Sequence, residues 1–156
     1  MKIVNVIGGL GNQMFQCAFA IALREVGHGE EVYIDTHHYK HPYPKVYRGN
    51  NFYHNGFEVL DIFKHTGLRI AKPSQVRKVS YYIPNYFLSR VARKILPVKR
   101  TEYIQSYKDA YKATTSALTS DKQYFEGYWL SPANFNFCRD KIIDSFQFEP
   151  FSTQKN

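Results

Sequence analysis

The segment Gly8-Gly9-Leu10-Gly11-Asn12-Gln13 gathers residue types suited to holding an anion or a sugar. Glycine has no Cβ, so a turn built from it can take positive φ and bring bare backbone N–H groups against a ligand. A helix beginning just after such a turn offers unpaired N–H donors and a partial positive charge. Together these favour an anionic group, typically a phosphate, near Gly9 to Asn12. The Asn12 amide donates and accepts at once, which suits a sugar hydroxyl. The same chemistry leaves a second use open, since glycine-rich turns also let a helix pack closely on a sheet.

Other groups carry weaker signals. Gly9-Leu10-Gly11 matches the first two glycines of the dinucleotide fingerprint, but Met14 stands at the third, where close helix–strand packing needs glycine. Asp35 falls roughly where a ribose-binding acid would sit, so a nicotinamide-dependent oxidoreductase domain is an alternative reading. His37-His38-Tyr39-Lys40-His41 has no thiol beside it and no carboxylate except Asp35, and it reads as a polar loop rather than a metal site. Glu126, next to Gly127, reads as structural. No side chain is singled out as a catalytic base.

These residues need elements to position them. Ile3–Ile7 reads as a buried strand and Gln13–Val26 as a helix, apolar almost all round and ended by Gly27-His28-Gly29. Glu31–Asp35 is a second strand. A strand–helix–strand run with short joints predicts a βαβ unit, hence an α/β fold with a Rossmann-like parallel sheet flanked by helices. Thr36 to Gly56 reads as a long surface loop. Short elements are expected at Phe57–Lys64 (helix), Leu68–Ile70 (strand), Pro73–Tyr82 and Tyr86–Leu96 (helices), Glu102–Gln105 and Lys122–Trp129 (strands). A helix over Pro132–Phe146, capped by Ser131, ends the series.

Two segments resemble one known family. Gly8-Gly9-Leu10-Gly11-Asn12-Gln13-Met14-Phe15-Gln16, followed by Ala18-Phe19-Ala20, resembles the N-terminal signature of the alpha-1,2-fucosyltransferases, with Cys17 where that family often has an aromatic residue. Tyr124-Phe125-Glu126-Gly127-Tyr128-Trp129-Leu130-Ser131-Pro132 resembles the family's segment before the acceptor-side helix. The likeness covers residues 1–35 and 122–148. It implies the N-terminal half of a glycosyltransferase-B arrangement and transfer of L-fucose from GDP-fucose to a 2-hydroxyl of a galactoside acceptor, with inversion. It also implies that Gly8, Gly9, Gly11, Asn12 and Gln13 contact the donor or substrate, and that no metal is used. The family's H-x-R-x-G-D-Y motif, whose arginine holds the diphosphate, is not in this sequence. Residues 1–156 are therefore expected to be the acceptor-side domain, with the GDP-sugar-binding domain outside this chain, and the chain by itself is expected not to transfer fucose.

The 156 residues suit one domain, and 44% apolar composition predicts a globular chain. The two cysteines, Cys17 and Cys138, have neither metal nor disulfide-framework spacing, which points to a reducing, cytoplasmic setting. The net charge is +8, and the stretch from Lys64 to Arg100 holds ten Lys/Arg and no Asp/Glu. Within it, Phe87, Leu88, Val91 and Ile95 fall on one side of a predicted helix, flanked by Arg90, Arg93 and Lys94. Two readings stand: an apolar face packed into the domain with solvated cations, or a helix resting peripherally on an anionic membrane at the inner face. The residues by themselves favour the first; the resemblance raises the second, because bacterial members of the family often build surface glycans on lipid carriers. A nucleic-acid-binding module is a further alternative, but no recognised motif accompanies the charge and nucleic acid is not expected.

Overall fold

A computed structural model describes residues 1–40 and 56–149. Five parallel strands form one sheet: β1 (Lys2–Asn5), β2 (Val32–Asp35), β3 (Arg69–Ile70), β4 (Glu102–Ile104) and β5 (Tyr124–Glu126). Their spatial order is β3-β2-β1-β5-β4. The register sets Asn5 beside Asp35 and Ile3 beside Tyr124. All residues of β1 and β2 are buried, as a central parallel strand covered on both faces requires.

Side chains alternate across the strands. Val4, Val6, Val32, Ile34 and Phe125 share one core cluster with α1 (Leu10–Val26). Phe19 of α1 stacks on Trp129 with centroids 3.9 Å apart, and its edge meets Phe125. Ile3, Tyr33 and Tyr124 join the opposite cluster with Val76 and Val79 of α3 (Pro73–Val79). Toward the strand ends this second face turns polar, with Asn5, Asp35 and Glu102 all buried under α4 (Tyr86–Ile95). Short helices α2 (Val59–Ile62), α5 (Thr115–Leu118) and α6 (Arg139–Ser145) complete the described secondary structure, together with several 3₁₀ turns.

The α/β expectation and its βαβ start are met. Helix α1 begins at Leu10, earlier than expected, because Gly9 already takes the extended N-cap conformation. Pro132–Phe146 is not one helix. It breaks into 3₁₀ turns at Pro132–Asn134 and Asn136–Cys138 before α6. Phe135 leaves helical geometry at the break to bury its ring in the core, while buried Asn134 accepts a hydrogen bond from the Thr114 N–H. Ser131 makes no side-chain cap, although Pro132 does open the first turn. The surface loop expected from Thr36 to Gly56 does not hold at its start: His37–Lys40 forms a 3₁₀ turn with His37 buried, because its ring pairs with Asp35, while 41–55, His41 included, lie outside the described residues. Among the described residues, no helix is long and apolar enough to cross a membrane.

Candidate functional site

The glycine turn sits where β1 leaves the C-terminal edge of the sheet, the edge at which open α/β sheets bind ligands. Each glycine has its own reason. Gly8 has φ +86°, which favours glycine, and a Cβ there would lie 2.7 Å from the Asn12 amide nitrogen, so that side chain would have to move aside. Gly11 has neither constraint. It lies exposed in the first turn of α1, and a Cβ there would meet nothing within 4 Å. Glycine in a helix costs about 1 kcal/mol relative to alanine. Among the described residues no packing contact offsets that cost, and the turn surface at Gly11 is bare. Helix α1 has no side-chain cap and no acid in its first turn, so its end N–H groups and dipole are uncompensated. Asn12 is half-buried beside Gly8, and its amide makes no hydrogen bond among the described residues.

Gln13 is different. It is fully buried and spends its whole amide inside the protein. Nε2 donates to the Gly8 and Gly56 carbonyls at 3.0 and 2.7 Å, and Oε1 accepts from the Glu58 and Val59 N–H groups at 2.9 and 3.2 Å. It thereby fixes the turn and the start of α2. Gln16, which the sequence did not single out, does the same between strands: it accepts from Ile7 N–H and donates to the Gly127 carbonyl. Gln16 of the first motif and Gly127 of the second are thus joined directly. At Gly127 a Cβ would fall 2.7 Å from the Gln105 Cβ, and Gln105 Oε1 accepts from both Tyr128 and Trp129 N–H groups. Trp129 takes positive φ to follow this path.

Behind the turn lies a buried polar cluster. His37 Nδ1 is 2.6 Å from both Asp35 oxygens, Tyr124 donates to Asp35 at 2.8 Å, and Asn5 donates to the Tyr124 hydroxyl at 3.1 Å. Burial, then the nearby Asp35 charge, keeps the Tyr124 phenol protonated far above its ordinary range. His38 is held neutral, its pKa pushed down to about 4 by burial and by His37. The Nε2 atoms of both histidines are buried without a partner among the described residues. They border a cavity of about 30 Å³ lined also by Asn5, Ile7, Tyr86 and Arg90. That volume takes one or two waters, not a sugar or a nucleotide. Asp35 with His37 has the make-up of an oriented base, but the free ring nitrogen is buried beside this small cavity. The Asp35 carboxylate is equally unavailable to a ribose, since His37 and Tyr124 occupy it. Local spacing does signal the pair, as Asp-x-His at the end of a strand. Asn5 and Tyr124 come to it only through sheet pairing.

The basic stretch divides. Arg93 turns inward, 2.9 Å from Glu102 and 3.0 Å from Glu126, so Glu126 has the structural partner expected of it. Arg90 and Lys94 stay exposed. Among the described residues, no group of three His, Cys, Asp or Glu side chains is arranged to hold a metal ion. The Cys17 thiol is buried and pushed up to about 12, which makes it unreactive. The class defined by these features is an α/β domain with a Rossmann-like parallel sheet and an open glycine turn at its C-terminal edge. Comparison with protein-family models, with curated proteins and with solved structures gave no match.

Proposed function

We propose that this chain is the acceptor-side domain of a fucosyltransferase that moves L-fucose from GDP-fucose to the 2-hydroxyl of a galactoside. The observation that carries the reading is Gly11, a helix-weakening glycine with no packing role, exposed beside the unpartnered Asn12 amide on an uncapped helix end. The motif resemblance supplies the substrates. In the reaction the bond from fucose C1 to the diphosphate oxygen breaks, and a bond from the galactose 2-oxygen to C1 forms on the opposite face. The hydroxyl proton passes to a base outside the assigned residues, and the diphosphate leaves with its negative charge. Backbone N–H groups at Gly9 to Asn12 offer partial positive charge to an anionic oxygen. Asn12 orients a sugar hydroxyl, which keeps the reacting oxygen near C1. Gln13 and Gln16 hold the turn rigid for that purpose. Residues Gly8 and Gly9 shape the approach.

The test is protein-observed NMR with GDP-fucose and with lactose, each at millimolar concentration. Amide shifts concentrated in residues 8–13 support the reading. Gly11→Ala and Asn12→Ala should abolish those shifts without lowering the melting temperature. Shifts confined elsewhere, or none with either ligand, overturn it.

A further inference from the structure

We infer that α4 and the few residues after it dock the protein on an anionic lipid surface. This inference is independent of the reaction proposed above. An amphipathic helix on a globular domain normally turns its apolar stripe inward. Here the orientation is reversed. Phe87, Leu88, Val91 and Ile95 are 68%, 55%, 41% and 77% exposed, while Tyr86, Ser89 and Arg93 face the domain. The exposed stripe continues through Leu96 and Val98, beyond the helix end. Such a contiguous apolar surface marks an interaction site.

Charge selects the partner. Arg90 and Lys94 flank the stripe, exposed and without an ion pair among the described residues, and Arg100 follows. No acid occurs from Lys64 to Arg100. An isologous contact with a second copy would set these cations against themselves in a chain already carrying +8. An anionic bilayer satisfies both features, burying the apolar side at the headgroup level and attracting the flanking cations. The helix is about 15 Å long, so it lies in the interface rather than crossing it.

The experiment is co-sedimentation with vesicles of phosphatidylcholine alone or with about one third phosphatidylglycerol. The chain should bind the anionic vesicles at least about tenfold better and be released as salt shortens the Debye length. The double variant Arg90→Glu/Lys94→Glu should lose about tenfold or more. Phe87→Ser/Val91→Ser should lose binding as well, with an unchanged melting temperature. Phe87→Trp gives a direct readout, because the single native tryptophan, Trp129, is buried. Its emission should shift to the blue on anionic vesicles and be quenched by brominated acyl chains. The inference is overturned if nothing sediments, or if neutral and anionic vesicles bind equally. It is equally overturned if the serine variant binds like the parent, or if the parent proves to be a dimer that the serine variant splits.

Discussion

Helices α1 and α4 present opposite solutions to the same sequence problem. Both have apolar residues at helical spacing. Helix α1 buries Phe19, Ile21 and Leu23 against one face of the sheet and leaves only its glycine end bare. Helix α4 shows its apolar side outward and sends a guanidinium in. The difference lies in the surface each helix meets. Under α1 the strands offer Val4, Val6, Ile34 and Phe125. Under α4 they offer Glu102 and Glu126, which need a cation more than a methyl group. Full burial of such a side chain is worth about 1.5–3 kcal/mol, and each outward side chain of α4 forgoes part of that in water. A cover over that face recovers it, which is why the orientation points beyond the isolated chain.

The strongest way to break the contrast is Phe19→Ala. It removes the ring stacked on Trp129 and leaves a void between α1 and the sheet. Aromatic truncation of this kind costs about 3–5 kcal/mol, read as a lower denaturation midpoint with an unchanged slope. A loss within about 0.5 kcal/mol, the scale of an ordinary surface change, would mean that α1 is not the packed element.

Next is Arg93→Met, which fits the space but removes the charge. Glu102 is fully buried at its side chain. Burial raises its pKa, but Arg93, Ser80 and the Lys99 N–H outweigh that and hold it below the ordinary 4.5. A carboxylate depressed in the folded state adds stability above its ordinary pKa and loses it as pH falls through the folded value. Breaking a buried pair costs about 3 kcal/mol at neutral pH. The deficit of Arg93→Met should therefore be largest near pH 7 and shrink below about pH 4. Urea titrations at both pH values measure it. A deficit independent of pH would assign Arg93 a packing role only.

His38 sharpens the same side. Its folded pKa of about 4 lies below the ordinary 6.5, because burial and then His37 disfavour the charged ring. The unfolded chain takes up the proton first, so stability falls as pH drops from 6.5 toward 4, by about 3 kcal/mol. His38→Gln cannot titrate and should flatten that part of the melting-temperature profile. An equal slope in the variant would place the acid sensitivity elsewhere.

Sequence periodicity made β1, α1, β2 and the parallel sheet legible, since each carries a run long enough to show its period. Boundaries of the short helices were less so. The helix expected at Pro132–Phe146 broke because Phe135 and Asn134 answer to tertiary partners, which no local pattern records. Within the site, a turn able to take positive φ was legible in the glycines, but not which glycine takes it, nor that α1 already begins at Leu10. The split between Asn12 and Gln13 was not. Both are amides at a helix start, and only the positions of Gly56 and Glu58 decide that Gln13 is consumed internally. For α4 the spacing gave the composition of each face but not the direction it looks, because that depends on carboxylates in β4 and β5, distant in sequence.

The smallest expected effect tests that last point most directly. Phe87→Ser and Val91→Ser each exchange an exposed apolar group for a hydroxyl that water can solvate. Surface changes away from special features stay within about 0.5 kcal/mol. Serine has about the same helix propensity as phenylalanine and valine, and relief of exposed apolar surface is a small gain. Chemical denaturation in vesicle-free buffer should thus give midpoints close to the parent for both variants, against the large loss at Phe19. If either variant loses as much as Phe19→Ala, the apolar side of α4 is packed within the domain and the two helices are alike after all. If both stay neutral in buffer, stability in water has no use for four apolar side chains that the sequence aligns on one face.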